Sequence, residues 1–105
     1  MNNNDAKGLC ENKFANGRPG HLVEPKTSAI NKLIFNQGPI LYWIGINDID
    51  NEDSWVYTST GLPATTTFFD SNHPNARGDC AIACASSGEW CDTSCDSKRR
   101  VICEF

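Results

Sequence analysis

The chain has 105 residues, 39 % of them hydrophobic, six cysteines and a formal net charge of −4. That is enough for one small domain with a single modest core, spanning residues 1–105. The acidic balance, with Lys98-Arg99-Arg100 as its only basic cluster and that triplet read as a solvated strand face, argues against a nucleic-acid or anionic-membrane partner. No apolar run approaches the roughly 20 residues that cross a bilayer, so membrane insertion is not expected.

Taken in order, the Met1 to Asp5 start has neither a basic nor an apolar segment and does not read as a signal peptide; if the protein is secreted, its signal is expected to have been removed or left out of this sequence. Residues 5 to 15 read as a short helix capped by Asp5, with Ala6, Leu9, Cys10 and Phe14 at helical spacing, ended by Asn16-Gly17 and Pro19-Gly20. His21 to Pro25 is a short strand. Thr27 or Ser28 caps a second helix that buries Ile30, Leu33, Ile34 and Phe35 and ends at Gly38-Pro39. Ile40 to Ile46 is nearly all apolar and rich in strand formers, which predicts a central strand buried on both faces. The acidic stretch Asn47 to Asp53 follows, then a strand over Ser54 to Tyr57. The polar loop from Thr58 to Asp79 has Phe68-Phe69 as its only large apolar anchor, and a loop that long in a compact domain is usually functional. Trp43 and Trp90 read as core, and Trp55 as a half-exposed face that can stack on a sugar.

Five cysteines fall in the last twenty-six residues. In an antiparallel hairpin, directly opposed residues have a constant sum of residue numbers, and the pairs Cys80/Cys95 and Cys84/Cys91 share one. The same register puts Ser87-Gly88 at the turn, where glycine accepts positive φ. Disulfides Cys80–Cys95 and Cys84–Cys91 follow, leaving Cys10 for Cys103. Six cysteines allow 15 connectivities, which the register narrows without proving. A four-thiolate zinc site is the competing reading. Strand spacing argues against it, because Cys80 and Cys84 would stand about 13 Å apart. Six cysteines in so short a chain point to a secreted or extracellular setting.

These residues resemble a family, the C-type lectin-like domain. The resemblance rests on Ala6-x3-Cys10, Gly20-His-Leu-Val, Trp43-Ile-Gly-Ile46, Phe69-x3-His73-Pro74-Asn75, Gly78-Asp79-Cys80, Trp90-x-Asp92-x2-Cys95 and Val101-Ile-Cys-Glu104, in the family's order. It implies an α+β fold in which two helices flank a small two-part antiparallel sheet, with a long ligand loop and the same three disulfides. The family's first strand ordinarily precedes the first helix, whereas only four residues do so here, so part of that strand is expected to be missing.

Sugar-binding members hold one calcium at positions matched here by His73, Asn75, Gly78, Cys91 and Asp92. Only Asn75 and Asp92 keep the oxygen donors that calcium requires. A second calcium position is matched by Asp48, Glu52 and Asp79, with Asp50 and Asp53 able to compensate for replaced ligands; an acidic surface loop that holds no metal is the simpler alternative. His73 suits zinc better than calcium, with Asn75, Asp79, Asp92 and Glu89 as candidate neighbours. His21 reads as structural. Calcium or zinc is thus the expected cofactor, and a glycan or cell-surface protein the expected partner. The leading reading is a secreted, carbohydrate-binding recognition domain, and the alternative is a metal-independent protein-interaction domain. Catalysis is not expected, because the cysteines are committed to disulfides and only two histidines are present.

Overall fold

A computed structural model describes residues 1–35, 41–69, 78–84 and 88–105, apart from the side chain of Phe35. Helix α1 spans Asn3–Glu11 and starts two residues earlier than Asp5 predicts, because the Asn2 side chain accepts the Asp5 amide at 2.8 Å and caps it. The helix also stops short of Ala15. Phe14–Ala15 (β1) pairs with Arg18–Pro19 (β2) across Asn16 (φ 54°) and Gly17 (φ 78°). Two consecutive positive φ angles make the Asn-Gly pair a hairpin turn rather than a helix stop, and Phe14 is left exposed.

Strand β3, His21–Leu22, is shorter than predicted and pairs with β8, Cys103–Glu104. Helix α2, Ser28–Phe35, starts where predicted, with Thr27 Oγ1 accepting the Ile30 amide at 3.0 Å. Its buried face differs from the prediction. Leu33 is 84 % exposed and Ile30 is also exposed, whereas Asn31 is buried. The reason is a polar contact: Asn31 accepts the Trp90 indole N–H at 2.9 Å and donates to the Gly88 carbonyl at 2.7 Å. Gly38 and Pro39 lie outside the described residues.

The main sheet contains β4 (Tyr42–Asn47), β5 (Val56–Tyr57), β6 (Cys80–Ala83) and β7 (Trp90–Thr93), in the order β5-β4-β6-β7 and antiparallel throughout. Strand β4 is central and buried on both faces, as its apolar run predicts. Ile44 and Ile46 pack with Val23, Tyr57, Ala81 and Trp90, while Trp43 packs with Ala6, Cys10, Leu22 and Ile82 on the other side. Ser54 and Trp55 fall outside the β5 ladder. The chain after β5 folds back on it instead, with the Ala64 amide donating to the Trp55 carbonyl at 2.9 Å. The predicted final strand is interrupted too: Arg100 lies along β4, and only Cys103–Glu104 pairs with β3.

All three disulfides form as predicted, Cys10–Cys103, Cys80–Cys95 and Cys84–Cys91. The register that suggested two of them is offset by two residues. Cys80 faces Thr93 and Ile82 faces Cys91, so the bridges run diagonally. Cys84 and Cys95 both lie just past the paired strands, and Cα separations of 5.2 and 5.8 Å keep both bridges within ordinary span. Gly88 has φ 89°, as a turn glycine should; Ser87 lies outside the described residues.

Candidate metal centre

A bulge in β4 sets the site. Between Ile44 and Asn47 the ladder slips, so that Ile44 faces Ala81 while Asn47 faces Cys80. Gly45 sits in the bulge, and a Cβ there would come within 2.7 Å of the Leu22 carbonyl oxygen, so this backbone approach needs glycine. The bulge delivers Asp48 to the place where β6 begins, and the Asp48 amide donates to the Asp79 carbonyl at 3.0 Å.

Asp48 is 2 % exposed. Its Oδ2 accepts the Asp53 amide at 2.8 Å, with Asp53 in the left-handed region at φ 64°, while its Oδ1 has no hydrogen-bond partner. Carboxylate oxygens of Asp48, Glu52 and Asp79 lie within 4.8 Å of one another. Two ligands of one calcium can stand up to about 5 Å apart, twice the metal–oxygen distance, so the trio fits around one ion. Among the described residues, no Lys, Arg or His forms an ion pair with any of the three. A buried carboxylate with one oxygen unpartnered, grouped with two further carboxylates, suits a hard divalent cation, and all the donors are oxygen.

The electrostatics agree. Burial, followed by the neighbouring Asp79, pushes the Asp48 carboxyl above its usual range, and the charge of Asp48 does the same to Glu52. Both groups therefore hold protons more tightly in the folded chain than in the unfolded one, so folding takes up protons. Their contribution to stability is favourable at low pH and is lost as pH rises from the ordinary carboxylate range toward neutrality. In chelator, Asp48→Asn should accordingly gain melting temperature relative to wild type as pH rises from about 4 to 7. Added calcium should cancel that gain, and its affinity should weaken as pH falls.

Asp48, Glu52 and Asp79 are thus brought together as the sequence suggests. Asp50 is exposed, and Asp53 contributes its amide. Asp92 is buried on β7 opposite Ala81 and Glu89 is exposed just before β7, both outside the trio and engaged with other groups. His73 and Asn75 lie outside the described residues. At Gly78 a Cβ would fall 2.0 Å from the Thr93 carbonyl, so no ligand side chain fits there, and Cys91 is committed to Cys84. Trp55 is half-exposed as expected, and its ring also packs against Phe69 at 5.0 Å. The sequence reading also missed Glu24 and Glu104, which meet His21. The pairing of Cys10 with Cys103 was a partial signal, since it ties the end of the chain to α1, which packs against Leu22 of β3.

The family profile for the lectin C-type domain matches residues 1–105. The chain belongs to the C-type lectin domain family. C-type lectin domains are binding modules, and this one is 35 % identical over 99 residues to Collectin-11 from Danio rerio, covering 88 % of this chain and 36 % of that protein. It is 30 % identical over 104 residues to C-type lectin domain family 17, member A, from Homo sapiens, covering 95 % of this chain and 26 % of the relative. The chain therefore spans well under half the length of these relatives. Among solved structures, the mouse scavenger receptor C-type lectin carbohydrate-recognition domain matches with a TM-score of 0.84 at 28 % identity, over 97 % of this chain and 80 % of that one. A calcium-independent type II antifreeze protein reaches the same TM-score at 24 % identity, over 98 % and 77 % of the two chains, a likeness of fold alone. No helix among the described residues is long and apolar enough to cross a membrane.

Proposed function

We propose that this C-type lectin domain is a secreted recognition module that binds glycans through the segment from residue 58 to 79, and that calcium held by Asp48, Glu52 and Asp79 organises that segment. The observation that carries the reading is the unpartnered, buried Oδ1 of Asp48 within an all-oxygen trio. When bound, the cation supplies the positive charge that three clustered carboxylates lack. Asp79 ends the ligand segment, four residues after Asn75, so fixing its carboxylate against the 48–53 turn constrains the chain that carries His73 and Asn75. Asn75 is the residue assigned to sugar hydroxyls, with His73 and the exposed Glu89 as further candidates, whereas Asp92 is buried on β7. The complete pairing of six cysteines supports an oxidising, extracellular setting. The likeness to a domain described as carbohydrate-recognising supports the ligand class.

One observation favours a metal-independent protein ligand instead. Gly78 and Cys91, two positions that the family uses to hold the sugar-site cation, supply no oxygen donor here, one for lack of room and the other for its disulfide. A glycan array run with calcium and with chelator separates the two. The proposal expects glycan binding that chelator abolishes and that free sugar competes away. An array that stays blank in both conditions would sink it in favour of a protein ligand.

A further inference from the structure

Away from the acidic trio, the pairing of β3 with β8 assembles a different donor set. His21 stands directly opposite Glu104, and Glu24 follows three residues later. His21 Nδ1 lies 3.5 Å from Glu24 Oε2 and 3.7 Å from Glu104 Oε1, and one donor atom from each residue lies within 4.8 Å of the others. A tetrahedral zinc with ligands at about 2.0 to 2.2 Å requires neighbouring donors about 3.4 Å apart. The two histidine–carboxylate edges are already close to that spacing, and only the carboxylate–carboxylate edge has to contract.

We infer that His21, Glu24 and Glu104 form a site for a divalent transition metal of the zinc class, separate from the calcium trio. Its supporting shell is in place. The Glu24 side chain is 2 % exposed, and its Oε2 accepts the Ser59 hydroxyl at 2.6 Å, which fixes the orientation of the carboxylate. Glu104 Oε1 accepts the Glu24 amide at 3.1 Å, so the second carboxylate is held as well. Among the described residues, Lys26 pairs with Glu24, its ammonium 3.7 Å from Oε1; its side chain is 59 % exposed, so it offsets a buried charge weakly. In the metal-free chain His21 Nδ1 donates to the Leu22 carbonyl at 2.8 Å. Metal binding has to release that hydrogen bond, taking Nδ1 unprotonated and moving the ring proton to Nε2. A cleft of about 180 Å³ between α1, β3 and the turn after β5, lined by Lys7, Glu11, Gly20, His21, Thr58 and Ser59, opens beside the histidine of the set. One nitrogen and two carboxylates select a transition metal over calcium, which prefers six to eight oxygens.

The test is calorimetric titration of zinc, and separately of calcium, into chelator-stripped protein, with cobalt(II) absorbance as a report on tetrahedral geometry. Wild type should bind one zinc at this site. His21→Ala should weaken it by at least about 100-fold, since even an outer-shell change costs 10- to 100-fold. Glu104→Gln, at a partly exposed side chain, should weaken it too while circular dichroism in chelator stays at the wild-type level. Zinc affinity unchanged in both variants, or zinc binding lost in His73→Ala and kept in His21→Ala, would overturn the assignment. Calcium binding that disappears with His21→Ala would overturn the metal class, and the absence of zinc binding to wild type below the millimolar range would overturn the site.

Discussion

Replacing Cys10 and Cys103 together with serine should lower the unfolding free energy by about 4 to 5 kcal/mol, the value the chain-entropy model assigns to a loop of roughly 100 residues. The bridge spans 93 residues and joins α1 to β8, with Cys10 fully buried in the cluster around Trp43. It also holds together the two ends of the chain, where β3 and β8 pair over only two residues each. The other bridges span 15 and 7 residues, for which the same model gives about 3 kcal/mol and a little over 2 kcal/mol. Urea unfolding of the three double-serine variants should therefore rank them in that order. A loss below about 1 kcal/mol for the Cys10/Cys103 variant would mean that β3 and β8 are held mainly by other contacts.

Trp90→Ala should cost about 3 to 5 kcal/mol, in the range of buried aromatic truncations. Trp90 is fully buried at the start of β7, with Phe68 and Phe69 edge-on at 5.3 and 5.9 Å, and its backbone amide donates to the Phe68 carbonyl at 2.8 Å. Truncation opens a cavity and also strands the Asn31 side-chain oxygen in the core. Trp90→Phe keeps most of the volume and loses only the indole hydrogen bond, so about 1 to 3 kcal/mol is expected from the unsatisfied partner. Because Phe68 and Phe69 anchor the ligand segment, Trp90→Ala should also weaken glycan binding at temperatures where the domain remains folded. Urea midpoints for the two variants check the ranking, and equal costs would contradict the role given to Asn31.

Much of this was legible in the sequence where one force dominated. The run from Tyr42 to Ile46 had to be a buried strand because it offered water almost nothing polar, and the six cysteines paired as their spacing suggested. The errors arose where two local signals competed. Asn16-Gly17 serves equally as a helix stop and as a hairpin turn, and only the pairing of Phe14 with Pro19 decides. On α2 the apolar periodicity pointed to Leu33, yet a buried hydrogen bond from Trp90 selected Asn31, a choice invisible until β7 is placed. The hairpin register slipped by two because a disulfide tolerates both direct and diagonal partners once the strands end. At the site, the charges of Asp48, Glu52 and Asp79 were plain in the sequence, whereas the bulge that buries Asp48 and leaves one oxygen unpartnered depends on Gly45 meeting the β3 backbone.

The most direct test is calorimetric titration of calcium into chelator-stripped wild type and Asp48→Asn at neutral pH. The proposal predicts one site with a dissociation constant of about 10⁻⁴ to 10⁻³ M, the range of extracellular calcium modules, lost in the variant while its fold is retained. Identical heats from the two proteins, or no heat from wild type up to about tenfold above that range, would show that the trio is an acidic surface without a cation.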